Sequence, residues 1–171
     1  RSFYERAISL DPNFARAYAS MGINIALQMI GNSATSLSDL ELKVLKDEAL
    51  NYTHLSQQFD PDGAHGYLAE AIVLNSARLF ERAQSPLNKA LTLEPNNVLA
   101  MTLYGSLKAN SGEVEEALSQ IKRIKTLDPL SPLIVAAVEN LANIGLENFE
   151  AALKSSEEVL ERNPNNFSGM I

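Results

Sequence analysis

Apolar and small side chains recur along this chain with the spacing of a single helix face. Ahead of three of its prolines, one such residue is followed by others four and seven positions later, which places all three on the same side of a helix. Polar segments separate each run from the next. The pattern predicts a chain built entirely of helices, and the triplets are Ala83, Leu87 and Ala90; Ala117, Ile121 and Ile124; and Ala152, Ser156 and Val159.

Five prolines divide the chain at nearly regular intervals. Pro12, Pro61, Pro95, Pro129 and Pro164 are separated by 49, 34, 34 and 35 residues. A proline cannot donate to the helix ladder and disfavours α geometry in its predecessor, so each should end one helix before another starts. Asn97 and Ser131 stand where the following helices need an N-cap. We predict a single domain over residues 1–171, with 1–12 as the second helix of a partial repeat, 13–61 as a repeat with an insertion around 28–42, 62–95, 96–129 and 130–164 as further repeats, and 165–171 as the start of another helix.

With this period and these small and aromatic positions, the chain resembles the tetratricopeptide repeat (TPR) family. The resemblance implies an all-α, right-handed superhelical solenoid of antiparallel helix hairpins. It also implies that Gly22, Ala71 and Gly105 on first helices let Ala49, Ala83 and Ala117 on second helices approach closely. Three charged residues depart from the family pattern, and we expect the fourth hairpin to pack least tightly or to be shifted in register. These departures are Glu70, Lys108 and Glu139.

The first complete repeat carries about 15 extra residues relative to the 34-residue unit. Gly31 and Asn32 should end the first helix, and Ser38 with Glu41 has the spacing of a capping box that starts the second. The insertion should therefore lengthen the hairpin and add a polar loop over residues 31–38. Two interpretations stay open, a tolerated surface loop and a protrusion that contacts another domain.

Both ends of the sequence fall within the repeat pattern. Residues 1–12 match only a second helix, and the last residues match the start of a first helix. Repeats of this kind bury their apolar faces against neighbours. We expect the parent array to extend further, and we expect the fragment to be able to self-associate through its terminal repeat faces.

Composition narrows the possible functions. The net charge is −7 with the acid spread along the chain, which argues against nucleic acid or an anionic membrane as the main partner. There is no cysteine, so disulfides and thiolate metal sites are excluded. No apolar run is long enough to span a bilayer. We expect a cytoplasmic location, or a periplasmic one if the parent protein is a membrane-anchored regulator.

No catalytic motif is present. The sequence contains neither a glycine-rich phosphate loop nor a nucleophile elbow. The two histidines, His54 and His65, fall on different predicted helices and have no ligand partner for a metal site. Glu113, Glu115 and Glu116 at a helix start are better explained as solvated side chains favoured by the helix dipole. We therefore expect no enzymatic activity, no cofactor and no metal in this chain.

What remains is an interaction surface on the first helices. A stripe offset from the packing stripe should face the concave side of a TPR array and bind a protein or peptide. Leu99 and Leu133 on this stripe either belong to the binding face or are buried by the next repeat. A clamp for a peptide carboxylate is not expected, since the stripe offers only one arginine and one histidine. The candidate binding residues are Arg16, Ile23, His65, Leu68, Ile72, Asn75, Thr102, Ser106, Asn140 and Asn143.

Three settings for such a module stay open. The arrangement also resembles the TPR arrays of bacterial signalling proteins, in which such arrays follow a class III adenylate cyclase or a winged-helix domain. That resemblance implies a regulatory or sensory segment whose partner could be another domain of the same chain. The alternatives are a free-standing adaptor or secretion-assembly scaffold, and a substrate-presenting tail of a transferase or protease.

Overall fold

The computed structural model describes residues 2–32, 37–128 and 133–162. Over these ranges the chain forms helices and no strand. The helices are α1 (Ser2–Leu10), α2 (Ala15–Asn32), α3 (Asp39–Phe59), α4 (Ala64–Ser76), α5 (Phe80–Leu93), α6 (Val98–Asn110), α7 (Val114–Leu127), α8 (Leu133–Gly145) and α9 (Phe149–Arg162).

The helices begin and end close to where the sequence predicts. Asn97 caps α6 by accepting a hydrogen bond from the backbone N–H of Ala100 at 3.0 Å. Ser38 and Glu41 form the capping box of α3, which lowers the pKa of the Glu41 carboxyl because Ser38 donates to its charged form. α2 ends at Asn32, as expected, while residues 33–36 of the predicted loop lie outside the described residues. The cap predicted at Ser131 also lies outside them.

The prolines act as the joints between hairpins. Helices α1, α3 and α5 each end two residues before Pro12, Pro61 and Pro95. At the first two joints the following helix is tied back to the proline, since the Tyr18 hydroxyl donates to the Pro12 carbonyl at 3.0 Å and that of Tyr67 donates to the Pro61 carbonyl at 3.1 Å. The same contact at both joints, 49 residues apart, reflects the repeat in the sequence.

Three hairpin turns share one backbone geometry. After α4, the N–H of Arg78 bonds to the Asn75 carbonyl and that of Leu79 bonds to the Leu74 carbonyl, which is the Schellman pattern. The turns after α6 and α8 repeat these bonds one and two periods later in the sequence. The residue with left-handed backbone geometry is Arg78 in the first turn (φ +58°), Gly112 in the second (φ +83°) and Glu147 in the third (φ +57°).

The chain divides into two compact units, Arg1–Pro95 and Asn96–Ile171. In the first unit, α2 packs against α3 and α4, and Ile25, Ala26, Ala49 and Val73 form a buried cluster. In the second unit α6 packs against α7 and α8, and α8 packs against α9, around a cluster of Val114, Ala117 and Ala142. The repeat boundaries and the single domain that the sequence predicts stay predictions.

The predicted close approach of two helices is confirmed at Gly22 in the first unit. A Cβ placed on Gly22 would lie 2.8 Å from Thr53 Cγ2 and 3.1 Å from the Ala49 carbonyl oxygen. The second-helix alanines Ala49 and Ala83 are fully buried. Gly105 is less constrained, because a Cβ there would come no closer than 3.7 Å to its neighbours.

The charged residues that depart from the repeat pattern each pair with a second helix. Glu70 accepts a hydrogen bond from Gln57 of α3 at 2.7 Å. Lys108 pairs with Glu113, the residue before α7, at 2.7 Å and with Glu116 of α7 at 3.3 Å. Glu139 pairs with Lys125 of α7 at 2.5 Å. A polar contact between helices therefore replaces an apolar one at these positions. The looser packing expected of the fourth hairpin stays a prediction.

Candidate interaction surfaces

The first helices of the first unit, α2 and α4, pack side by side and carry six of the ten candidate residues. Leu68 is only 5% exposed and acts in packing. Arg16 is exposed, and the other four are half-buried, so they remain partly open to solvent. We call the set that excludes Leu68 the α2–α4 face, and its members are Arg16, Ile23, His65, Ile72 and Asn75.

The polar atoms of His65 and Asn75 differ in their hydrogen-bonding environment on the α2–α4 face. His65 Nδ1 lies 4.0 Å from Glu94 Oε1, so protonated His65 would be paired with that carboxylate. The Asn75 Oδ1 atom is buried and accepts no hydrogen bond from any residue that the structure describes. Ile72 packs against the buried cluster beneath the face. The face therefore combines apolar and amide surface with one exposed cation.

The four candidates of the second unit are more enclosed. Thr102 is 3% exposed and donates to the Val98 carbonyl, one turn earlier in α6. Asn140 is 9% exposed and donates through Nδ2 to Ser156 Oγ on α9, which directs its amide into the hairpin. Asn143 is 6% exposed, and Ser106 is half-buried. A binding role for these residues stays a prediction, as it does for the α2–α4 face.

Leu99 and Leu133 are the two stripe residues that the sequence left open between binding and burial. Leu99 is 46% exposed, so within the part of the chain that the structure describes it is not covered by another helix. The side chain of Leu133 lies outside the described residues. Leu99 thus stays a candidate for the binding face.

A charged network surrounds the start of α7, where the sequence predicts solvated carboxylates. The Tyr104 hydroxyl donates to Glu116 Oε1 at 2.6 Å, and Lys108 contacts both Glu113 and Glu116. The hydrogen bond with Glu113 raises the pKa of Lys108 and lowers that of Glu113. Sequence reasoning missed the tyrosine, although Tyr104 and Lys108 are four residues apart and so share a helix face.

We expect the phenol of Tyr104 to ionise at a higher pH than a free tyrosine side chain. The hydrogen bond to Glu116 stabilises the protonated phenol and raises the pKa of Tyr104. With the folded pKa above the unfolded one, the contribution to stability is complete below about pH 10 and is lost as pH rises through the folded pKa. Ultraviolet titration of the wild type and Glu116→Gln measures this. A Tyr104 pKa that does not fall in the variant contradicts the assignment.

Metal and membrane-spanning sites are both missing from the described residues. Within residues 2–32, 37–128 and 133–162, no group of three or more histidine, aspartate or glutamate side chains is placed to hold a metal ion. No helix in these ranges has the length and apolar character needed to cross a membrane.

Tandem helical hairpins with buried small residues and proline joints define an α-helical repeat protein. Solved structures identify the repeat type. The chain is similar to TTC0263, a thermophilic TPR protein of Thermus thermophilus, with a TM-score of 0.72, 17% identity and coverage of 99% of this chain and 84% of that one. The all-α TPR fold predicted from the sequence is thereby confirmed.

Two further structures show the same similarity. YrrB, described as a TPR protein with an unusual peptide-binding site, matches with a TM-score of 0.64 and 22% identity over 99% of this chain and 79% of its own. PilW, a widely conserved type IV pilus biogenesis factor, matches with a TM-score of 0.68 and 15% identity over 98% of this chain and 70% of its own. No protein-family model and no curated protein matches the sequence.

Proposed function

We propose that this chain is a non-catalytic interaction module that binds a peptide segment of a protein partner on the α2–α4 face. The observation that supports the proposal is the partial exposure of that face, in which apolar Ile23 and Ile72 lie beside an amide and a cation on two adjacent helices. Half-exposed apolar surface with a few polar groups is typical of a docking site. The TPR fold and the peptide-binding site of YrrB are consistent with it.

We consider two biological settings for this module. An adaptor or assembly scaffold is favoured by the similarity to PilW, the pilus biogenesis factor. A regulatory segment of a bacterial signalling protein is the other candidate, and it requires an adenylate cyclase or winged-helix domain elsewhere in the same protein. The gene sequence on either side of these 171 residues distinguishes the two settings. Only the signalling setting requires that the gene also encode a cyclase or winged-helix domain.

Peptide selection tests binding to the α2–α4 face. A display library of random peptides is panned on the chain, and the affinity of enriched peptides is measured by fluorescence anisotropy. The double variant Arg16→Glu with Asn75→Ala should bind these peptides about tenfold more weakly or worse, because it removes a cation and an amide from the face.

Arg82→Glu supplies the matched control. Arg82 is exposed on α5, outside the α2–α4 face, so the same charge reversal there should leave the affinity unchanged. Circular dichroism verifies that each variant is folded. Enriched peptides that bind the double variant as tightly as the wild type would contradict the proposal.

A further inference from the structure

A small pocket lies at the end of the insertion-bearing hairpin, and none of its lining residues belongs to the α2–α4 face. It has a volume of about 270 Å³ and lies between the first two turns of α3 and the turn that joins α4 to α5. α3 spans 21 residues, whereas the other second helices α5, α7 and α9 span 14 each. The pocket therefore depends on the extra turns that the insertion adds.

The lining of the pocket is basic above an apolar floor. Lys43, Lys46 and Arg78 contribute three cations against one carboxylate, that of Asp39, in a chain whose net charge is −7. The floor consists of Met29, which is 2% exposed, and the half-buried Leu42 and Leu79. The charges of the lining side chains thus sum to a positive value, opposite in sign to the net charge of the whole chain.

Few of the described carboxylates pair with these three cations. Lys46 Nζ lies 3.5 Å from Asp47. Lys43 and Arg78 form no ion pair with any residue in the ranges that the structure describes, and both side chains are exposed at the rim. Two of the three cations are therefore available to a ligand.

Arg78 occupies a position where glycine is favoured. Its left-handed backbone (φ +58°) corresponds to that of Gly112 in the next hairpin turn, 34 residues later. A non-glycine residue is disfavoured there, because its Cβ comes too close to the following carbonyl oxygen. Glu147 shows that the third turn also tolerates a side chain, but the charge at that position is negative. The arginine adds a cation to the pocket despite the backbone cost.

We infer that this pocket binds an acidic peptide segment of a protein partner, with a carboxylate between Lys43, Lys46 and Arg78 and an adjacent apolar side chain on the floor. A nucleic acid fits poorly, because its many phosphates would meet three cations on a chain that is otherwise acidic. The inference concerns a surface separate from the α2–α4 face.

Fluorescence anisotropy tests the inference with two defined probes. The full chain is titrated into a short labelled peptide rich in glutamate and leucine, and into the matched peptide with lysine in place of glutamate. We expect the acidic peptide alone to bind, with an affinity that falls as NaCl is added. Lys43→Gln and Arg78→Gly should each weaken its binding about three- to tenfold, as expected for partly exposed charge pairs.

Two controls separate charge from folding. Arg78→Gly should keep or raise the thermal midpoint, since glycine suits the left-handed backbone, so weaker binding cannot be attributed to unfolding. Glu147→Gly makes the same backbone change in another turn, and Lys89→Gln removes a cation on α5. Both should leave the affinity for the acidic peptide unchanged.

Several results would overturn the inference. They are equal binding of both peptides, no binding of the acidic peptide, and full affinity in the Arg78→Gly variant. Displacement by inorganic phosphate at the concentration of the peptide would indicate a simple anion site. Self-association of the chain that Lys43→Gln abolishes, seen by sedimentation without peptide, would show that a second copy is the occupant. If no peptide binds the α2–α4 face, these measurements still stand, because the pocket shares no residue with that face.

Discussion

Gly22→Ala is expected to lower the free energy of unfolding by about 1–2 kcal/mol, although alanine is the better helix former. The added methyl would lie 3.1 Å from the Ala49 carbonyl oxygen, a backbone atom that moves only if α2 and α3 separate. Its other neighbour, Thr53, is fully buried and donates to the Leu50 carbonyl, so it cannot easily turn away. Equilibrium urea denaturation followed by circular dichroism measures the loss.

Gly105→Ala is the matched control and should have the opposite sign. A methyl group there lies at ordinary contact distance, 3.7 Å from both the Ala117 carbonyl oxygen and Val138 Cγ1. The higher helix propensity of alanine should then raise stability by up to about 1 kcal/mol. Stabilisation by both substitutions would show that α2 and α3 are not in tight contact at Gly22.

The repeat pattern predicted the helices and their packing faces because both depend on local spacing. Ala83 and Ala117 lie on predicted packing faces and are fully buried, and Ser38 and Asn97 cap the helices at the expected residues. These features follow from the period of the helix and from backbone groups near the cap. They require no knowledge of which helix lies opposite.

Polar residues between helices were harder to predict, since their burial depends on the partner helix. Thr53 is fully buried beside Gly22, although a threonine within a helix gives no sequence signal of a packing face. Thr102 belongs to the predicted binding stripe but is 3% exposed and bonded to its own helix. One helical period cannot distinguish a face open to a ligand from a face covered by a neighbouring helix.

The basic pocket required the three-dimensional arrangement. Lys43 and Lys46 share a helix face in the sequence, but Arg78 joins them only when α3 packs beside the turn after α4. One sequence signal for Arg78 did exist, because it stands 34 residues before Gly112, at the turn position that favours glycine. A basic residue at that place in the repeat indicates a role other than chain reversal.

Ala117→Leu should lower the free energy of unfolding by about 1–3 kcal/mol through overpacking. Ala117 is fully buried and belongs to one cluster with Val114 of its own helix and with Ala142 of α8. Ala142 is fully buried as well. A leucine there would have to displace α7 from α8 or adopt a strained rotamer, because the space around the methyl group is already filled. Thermal and urea denaturation of the variant measure the effect.

Ser119→Leu provides the control on the same helix. Ser119 is exposed, so the same leucine side chain meets solvent, and stability should change by less than about 0.5 kcal/mol. A loss in Ala117→Leu but not in Ser119→Leu therefore reports the space between α7 and α8 and not the helix propensity of leucine. An unchanged midpoint in Ala117→Leu would mean that α7 and α8 can separate freely, which is incompatible with the close packing on which a hairpin repeat depends.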